Sequence, residues 1–289
     1  MEDKTSKLIL GTVQFGLDYG INNKNGKVSG EEAFNILNYA WQNGITHIDT
    51  AAAYGNSEEV IGEFSRTFPN ARFDIITKLA KETAWKDALP LSLTALKTGK
   101  VDTLLFHSFG AYKLAKSNNE FSELSLAKGE FFTKLGVSVY TNEELKEVAK
   151  DKMVEIIQLP FNLLDNENLR GEAIRFAKDE GKTIHTRSVF LQGLFFKSID
   201  SLPFKLAGLA PELKRLNEIA KSANLSIGEL ALMYALSKEY VDGVLIGTDS
   251  VEQLATNLKW AKSPFSEESV IEIEKINVKN LDLINPSLW

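Results

Sequence analysis

Short apolar runs rich in Val, Ile and Leu alternate with longer stretches of helical periodicity along the whole chain, and this rhythm constrains the fold more than any other feature. A strand, a helix and a second strand in succession leave the two strands parallel, because the helix carries the chain back along the sheet. LILGTVQFG reads as the first strand. In GEEAFNILNYAWQNG, Ala33, Ile36, Leu37, Ala40 and Trp41 recur at helical spacing before Gly44 stops the helix. ITHIDTA and SEEVIGEFSRTF form the second unit, with Ser57 as the predicted N-cap, and FDIITKLA with LPLSLTALKTGK forms the third. VDTLLFHSF opens the fourth and leads through a polar stretch into LSLAKGEFFTK. KLGVSVYT precedes TNEELKEVAKD, where Thr141 and Glu144 have the spacing of a capping box. VEIIQLPFNLL with NLRGEAIRFAKDEG, KTIHTRSVF with two later helices, and VDGVLIGT with SVEQLATNLKWA complete the series. Eight units predict an α/β protein folded as a (β/α)₈ barrel rather than an open doubly wound sheet. No linker, charge block or composition shift divides residues 1–289, so a single domain is expected, with substrate loops near 109–128 and 195–211.

Charge and composition narrow the partners. The net charge is −6 and no run of Lys and Arg stands out, which argues against nucleic-acid or anionic-membrane surfaces. No cysteine is present, which excludes disulfides, thiolate metal sites and a cysteine nucleophile. With His47, His107 and His185 the only histidines, no metal is expected. MEDKTSKLIL lacks a signal-peptide core and no later run approaches membrane-spanning length. The expectation is a cytoplasmic protein, a monomer or weak homo-oligomer, acting on a small molecule.

In such a barrel the active site lies at the C-terminal ends of the strands. Asp49 ends the second strand, Lys78 the third and His107 the fourth, and Tyr54 follows on the loop after Asp49. Each has a bland reading: Asp49 and Lys78 as a buried ion pair, His107 as a satisfied core histidine, Tyr54 as a packed loop aromatic. Together they describe acid catalysis on a carbonyl. A tyrosine hydroxyl, titrating near about 10, is too weak an acid near neutrality unless its anion is stabilised. The Lys78 ammonium would stabilise it, Asp49 would hold Lys78 charged and aimed, and His107 would orient the carbonyl oxygen. Such a set supplies no electrons, so a nicotinamide hydride donor is implied. No G-x-G-x-x-G follows the first strand, and the cofactor must be held without that fingerprint.

These residues sit in GTVQFG, HIDTAAAYGNSEEVIG, ITKL, LLFHS, LGVSVYT, IIQLPFNLLD, SVFLQGL and IGTDSVEQLATN, which resemble the aldo-keto reductases in order and spacing over nearly the whole chain. The resemblance implies an NADPH- or NADH-dependent carbonyl reductase, with Tyr54 the proton donor, Lys78 and Asp49 its tuning pair, and His107 the orienting residue. It also implies Ser138 and Gln158 at the nicotinamide carboxamide and Thr12 in the cofactor set. Val139 replaces the family's usual asparagine. Arg187 falls where relatives stack an aromatic on the nicotinamide; its guanidinium could stack there, or favour an anionic substrate group instead. Gly247, Thr248, Asp249, Ser250, Gln253 and Asn257 correspond to the adenosine and pyrophosphate end, where a helix N-terminus offers backbone N–H groups to phosphate. The motif has no cation for a 2′-phosphate, which points to relaxed or NADH-leaning use.

Two other readings stand beside this one. Lys78 could form a Schiff base in a lyase or aldolase, or the barrel could be a non-catalytic NAD(P)H sensor. The short tail NPSLW predicts an open pocket, and the polar loops weakly favour a sugar-like substrate.

Overall fold

The apolar runs become strands buried on both faces, as a parallel sheet covered by helices requires. In a computed structural model that describes residues 3–23, 26–79 and 83–289, eight parallel strands close into a barrel. They are β1 (Leu8–Gly11), β2 (His47–Asp49), β3 (Asp74–Leu79), β4 (Val101–Phe106), β5 (Phe132–Ser138), β6 (Ile156–Pro160), β7 (Thr183–Arg187) and β8 (Gly243–Gly247). Pairing of β1 with β8, Leu10 level with Ile246, closes the ring. The helices outside it are α1 (Val13–Gly16), α2 (Gly30–Gln42), α3 (Ser57–Thr67), α4 (Trp85–Ala95), α5 (Phe109–Ser117), α6 (Phe121–Ala127), α7 (Asn142–Ala149), α8 (Glu167–Asp179), α9 (Ala210–Ser222), α10 (Ile227–Ser237), α11 (Val251–Trp260) and α12 (Glu267–Glu274). No helix among the described residues is long and apolar enough to cross a membrane.

The core has two parts. The larger lies between strands and helices. Ala33, Ile36, Leu37 and Ala40 of α2 turn inward as their spacing predicts, whereas Trp41 stays partly exposed. The smaller, Ile9, Ile76, Leu105 and Ile156 with Leu245 against them, fills the barrel interior. That apolar layer divides two polar ones. Lys78 and Gln158 lie above it, two residues after Ile76 and Ile156 on their strands and both bonded to Asp49; Asp74, two residues before Ile76, lies below, and His185 lies in the electrostatic range of His47 and Lys134.

Several local expectations change. Ser57 is not the cap of α3; Asn56 precedes the helix without a side-chain cap, and the buried Ser57 hydroxyl donates to the Thr12 carbonyl at 2.9 Å. The competing partner won because Ser57 faces the barrel mouth. The capping box at Thr141 and Glu144 is present as its spacing predicts. α4 starts at Trp85, earlier than the apolar spacing suggested, and carries Pro90 in its first turns. The last residue of FDIITKLA, Ala80, lies outside the described residues. Residues 109–128, expected as a substrate loop, fold mostly into α5 and α6. The insertion at 197–211 forms short 3₁₀ turns, Ile199–Ser201 and Phe204–Leu209.

Candidate active site

A cavity of about 810 Å³ opens where the strands end. Every strand contributes to its wall near its C-terminal end, through Gly11, Asp49, Lys78, His107, Ser138, Gln158, Arg187 and Gly247. At the floor, Lys78 is fully enclosed. Its ammonium donates to an Asp49 carboxylate oxygen, to the Thr50 carbonyl at 2.9 Å and to the Tyr54 hydroxyl at 3.4 Å. Burial disfavours the ammonium, but Asp49 and then the Tyr54 oxygen outweigh it, and the Lys78 pKa lies above the ordinary lysine value. The other Asp49 oxygen accepts from Gln158 Nε2 at 2.8 Å, which joins β2 to β6 across the barrel. His107 meets the Tyr54 ring edge-on, centroids 5.8 Å apart. The four expected catalytic residues are therefore one cluster.

Tyr54 owes its place to two glycines. A Cβ on Gly16 would lie 1.6 Å from the Tyr54 carbonyl oxygen, and one on Gly55 would lie 2.4 Å from the Gly16 carbonyl oxygen. The two loops touch backbone to backbone, and Gly55 takes a φ of 55° to make the turn. Thr12 completes the seat: its N–H and hydroxyl both donate to the Asp49 carbonyl, at 3.0 and 2.9 Å. Just behind the site, Glu58 is buried rather than a surface first-turn acid; burial raises its carboxyl pKa against the opposing hydrogen bonds of Thr77 and Ser92.

The cofactor positions are brought together less uniformly. Ser138, Gln158, Arg187, Gly247, Asp249, Ser250, Gln253 and Asn257 line the same cavity, whereas Thr248 is buried and contributes nothing to the wall. Gln158 Oε1 is buried without a hydrogen-bond partner, an acceptor left open at the floor. Asp249 Oδ1 is a second such acceptor at the far end. Orphaned acceptors at both ends of one long cavity fit a dinucleotide, carboxamide at the floor and adenosine at the rim.

The helix N-terminus at that rim is less free than its sequence suggests. Val251 N–H donates to Glu32 Oε1 at 2.9 Å, Gln253 N–H to Ser250 Oγ at 3.2 Å, and Asp249 N–H to Gln253 Oε1 at 2.9 Å. The positive end of α11 attracts a carboxylate, and α2 supplies it. Burial raises the Asp249 carboxyl pKa, with the Gln253 contact opposing.

Sequence reasoning named Arg187 but not its neighbours, and it missed Tyr19 and Tyr140 on the wall. Arg187 lies flat on Tyr140, guanidinium carbon 4.1 Å from the ring centroid, and donates to Ser138 Oγ at 3.3 Å and the Val139 carbonyl at 3.2 Å. Tyr19, from the loop after α1, also lines the cavity; burial pushes its hydroxyl up to about 12, with the Tyr54 and Tyr140 oxygens adding and Arg187 opposing. Tyr140 was in view within LGVSVYT, but its outward turn past the strand end was not. Pro286 and Ser287 of the short tail reach the wall as well. None of residues 109–128 lines it, and of 195–211 only Phe196 does.

Comparison with known proteins agrees with this geometry. A model of the aldo/keto reductase family matches residues 7–278. An L-galactose dehydrogenase of Arabidopsis thaliana is 24% identical, covering 89% of this chain and 88% of its own length. An L-glyceraldehyde 3-phosphate reductase of Escherichia coli O157:H7 is 25% identical over 83% of this chain and 82% of its own. Among solved structures, an aldo-keto reductase of Bacillus halodurans in its holo form has a similar fold, with a TM-score of 0.77 at 21% identity, covering 97% of this chain and 96% of that one.

Proposed function

The chain belongs to the aldo/keto reductase family, and from that premise we propose that it reduces a sugar-like aldehyde or ketone, with Tyr54 as the general acid. Its general activity is that of an NAD(P)H-dependent oxidoreductase acting on carbonyls. The observation that carries the finer reading is the Lys78 ammonium, held between Asp49 and the Tyr54 hydroxyl and kept charged there.

A bound NADH or NADPH would supply the hydride. Gln158 and Ser138 would hold its carboxamide, and Gly247, Asp249, Ser250, Gln253 and Asn257 its other end. The C=O π bond breaks as the carbonyl carbon gains the hydride, and the oxygen takes the Tyr54 proton. The phenolate left behind faces Lys78, whose fixed charge costs no reorganisation at that moment. His107 hydrogen-bonds the same oxygen and orients it. The alcohol leaves, and Tyr54 regains its proton from solvent.

Schiff-base chemistry is disfavoured by the same contact, since it needs a neutral amine and Lys78 is ion-paired and pushed the other way. A sugar-like substrate is supported by the names of two of the relatives, the L-galactose dehydrogenase and the L-glyceraldehyde 3-phosphate reductase. Asp249 and Glu32 at the rim, with no cation among the motif residues, support an NADH-leaning enzyme. Cytoplasmic residence as a monomer or weak homo-oligomer completes the proposal, and sedimentation measures the latter.

Tyr54→Phe tests the assignment. Loss of the general acid is expected to lower kcat by roughly 10²- to 10⁴-fold while NADH titrates as in the wild type. An unimpaired variant would remove Tyr54 from the role. Carbonyl-dependent oxidation of NADH, measured over sugar aldehydes, simple aldehydes and ketones, identifies the substrate group.

A further inference from the structure

Among the cationic side chains on the cavity wall, Lys78 is fully committed to Asp49, and Arg187 is left with a different set of neighbours. Arg187 sits at the last residue of β7, half-buried, and makes no ion pair among the described residues. Asp165, a carboxylate within its electrostatic range, gives both oxygens to Arg170. Its guanidinium is nonetheless fixed: one face covers Tyr140, and two hydrogen bonds anchor it to Ser138 and Val139. Those bonds use Nε and one terminal nitrogen, and the rest of the fork has no hydrogen-bond partner among the described residues.

The surroundings are matched in kind. Tyr19 stays protonated at neutral pH and lies in the electrostatic range of both Arg187 and Tyr54. The carboxylates on the wall are elsewhere: Asp49 is spent on Lys78 and Gln158 at the floor, while Asp249 and Glu252 lie at the rim beside α11. A fixed cation therefore stands on the wall with Tyr19 and Tyr54, and the carboxylates not spent at the floor lie at the rim. A rigid, stacked guanidinium with open N–H groups recognises planar or tetrahedral anions, and it leaves its charge unmatched for a neutral ligand.

We propose that Arg187, stacked on Tyr140 beside Tyr19, is the anion-recognition point of the substrate cavity, and that the carbonyl compound reduced here carries a carboxylate or a phosphate ester. This rests on the reductase reading above and adds the charge of the substrate to it.

Matched pairs test it: glyceraldehyde against glyceraldehyde 3-phosphate for the phosphate, butanal against succinic semialdehyde and glucose against glucuronate for the carboxylate. In the wild type, kcat/KM should favour the anionic member of at least one pair by roughly tenfold or more, and which pair does so identifies the anion. Arg187→Gln should lower the anionic member by roughly 10- to 100-fold more than its neutral partner, chiefly through KM, the usual worth of a charge-assisted hydrogen bond. Arg187→Lys should restore part of that loss. Equal use of neutral and anionic members, or equal loss of both in Arg187→Gln, overturns the proposal. Inorganic phosphate and acetate, titrated against the NADH complex by fluorescence, separate the two claims. Arg187-dependent binding of either anion without turnover of any carbonyl would retain the anion point and sink the reductase reading. Turnover of neutral carbonyls with no anion binding would do the reverse.

Discussion

At the residue scale, the proposed NADH preference turns on Asp249. Its Oδ1 is buried with no partner, and its neighbours Glu32 and Glu252 add further negative charge around the start of α11. A ribose hydroxyl can donate to that oxygen, whereas a 2′-phosphate would meet three carboxylates and no cation in the motif. Asp249→Ser is therefore expected to raise NADPH affinity relative to NADH by about tenfold, a change of about 1.4 kcal/mol, read by separate fluorescence titrations. A wild-type protein that already prefers NADPH would show that a cation outside the motif binds the phosphate. Asp249 was legible in the sequence, since the motif that holds it has no cation for a 2′-phosphate. Glu32 was not, because its contact with Val251 spans 219 residues and nothing in α2 marks it out from an ordinary first-turn acid.

At the scale of elements, the position of Tyr54, the proposed general acid, depends on how two loops fit. β1 and β2 pair in register, Gly11 level with Asp49, and the segments that follow them must cross at Gly16 and Gly55. Gly16→Ala would drive its Cβ into the Tyr54 carbonyl, which neither backbone can yield cheaply. A stability cost of about 1–3 kcal/mol is expected, as for other overpacked sites, together with a fall in carbonyl reduction of roughly tenfold or more as Tyr54 is displaced. Thermal melting and turnover read the two effects; a variant that kept wild-type turnover would show that the loop contact does not position Tyr54. The strand ends that deliver Asp49, Lys78 and His107 could be read from periodicity alone. The loops could not. Ser57 looked like a cap and became a barrel-mouth hydrogen-bond bridge, and 109–128 looked like a polar loop and became α5 and α6. Side-chain polarity does not report whether a segment pairs its own backbone.

Across the whole molecule, barrel closure makes an interior whose lower polar layer titrates. His185 is buried there, and burial first, then the charges of His47 and Lys134, lower its pKa to about 4, with Asp242 and Asp102 opposing. The unfolded chain binds a proton near the ordinary 6.5 while the folded one does not. Stability from this residue is thus fully present above about pH 6.5 and is lost as pH falls toward about 4, amounting to about 3 kcal/mol at 1.36 kcal/mol per pH unit. His185→Leu should flatten the acid limb of denaturant-unfolding stability between those values, whatever it does to stability at neutral pH. An unchanged slope would place the acid sensitivity in other groups.

By itself the sequence determined the class of fold, the direction of the strands and the strand ends at which Asp49, Lys78 and His107 emerge, because these follow from periodicities of a few residues that any stretch of chain carries locally. Only the tertiary structure decided which of the distant partners meet. Gln158 crosses the barrel to Asp49, Glu32 occupies the N-terminus of α11, Arg187 settles on Tyr140, and Pro286 and Ser287 come back to the cavity wall. Those contacts depend on barrel closure, which sets distances between residues far apart in the chain, and no local pattern encodes such a distance.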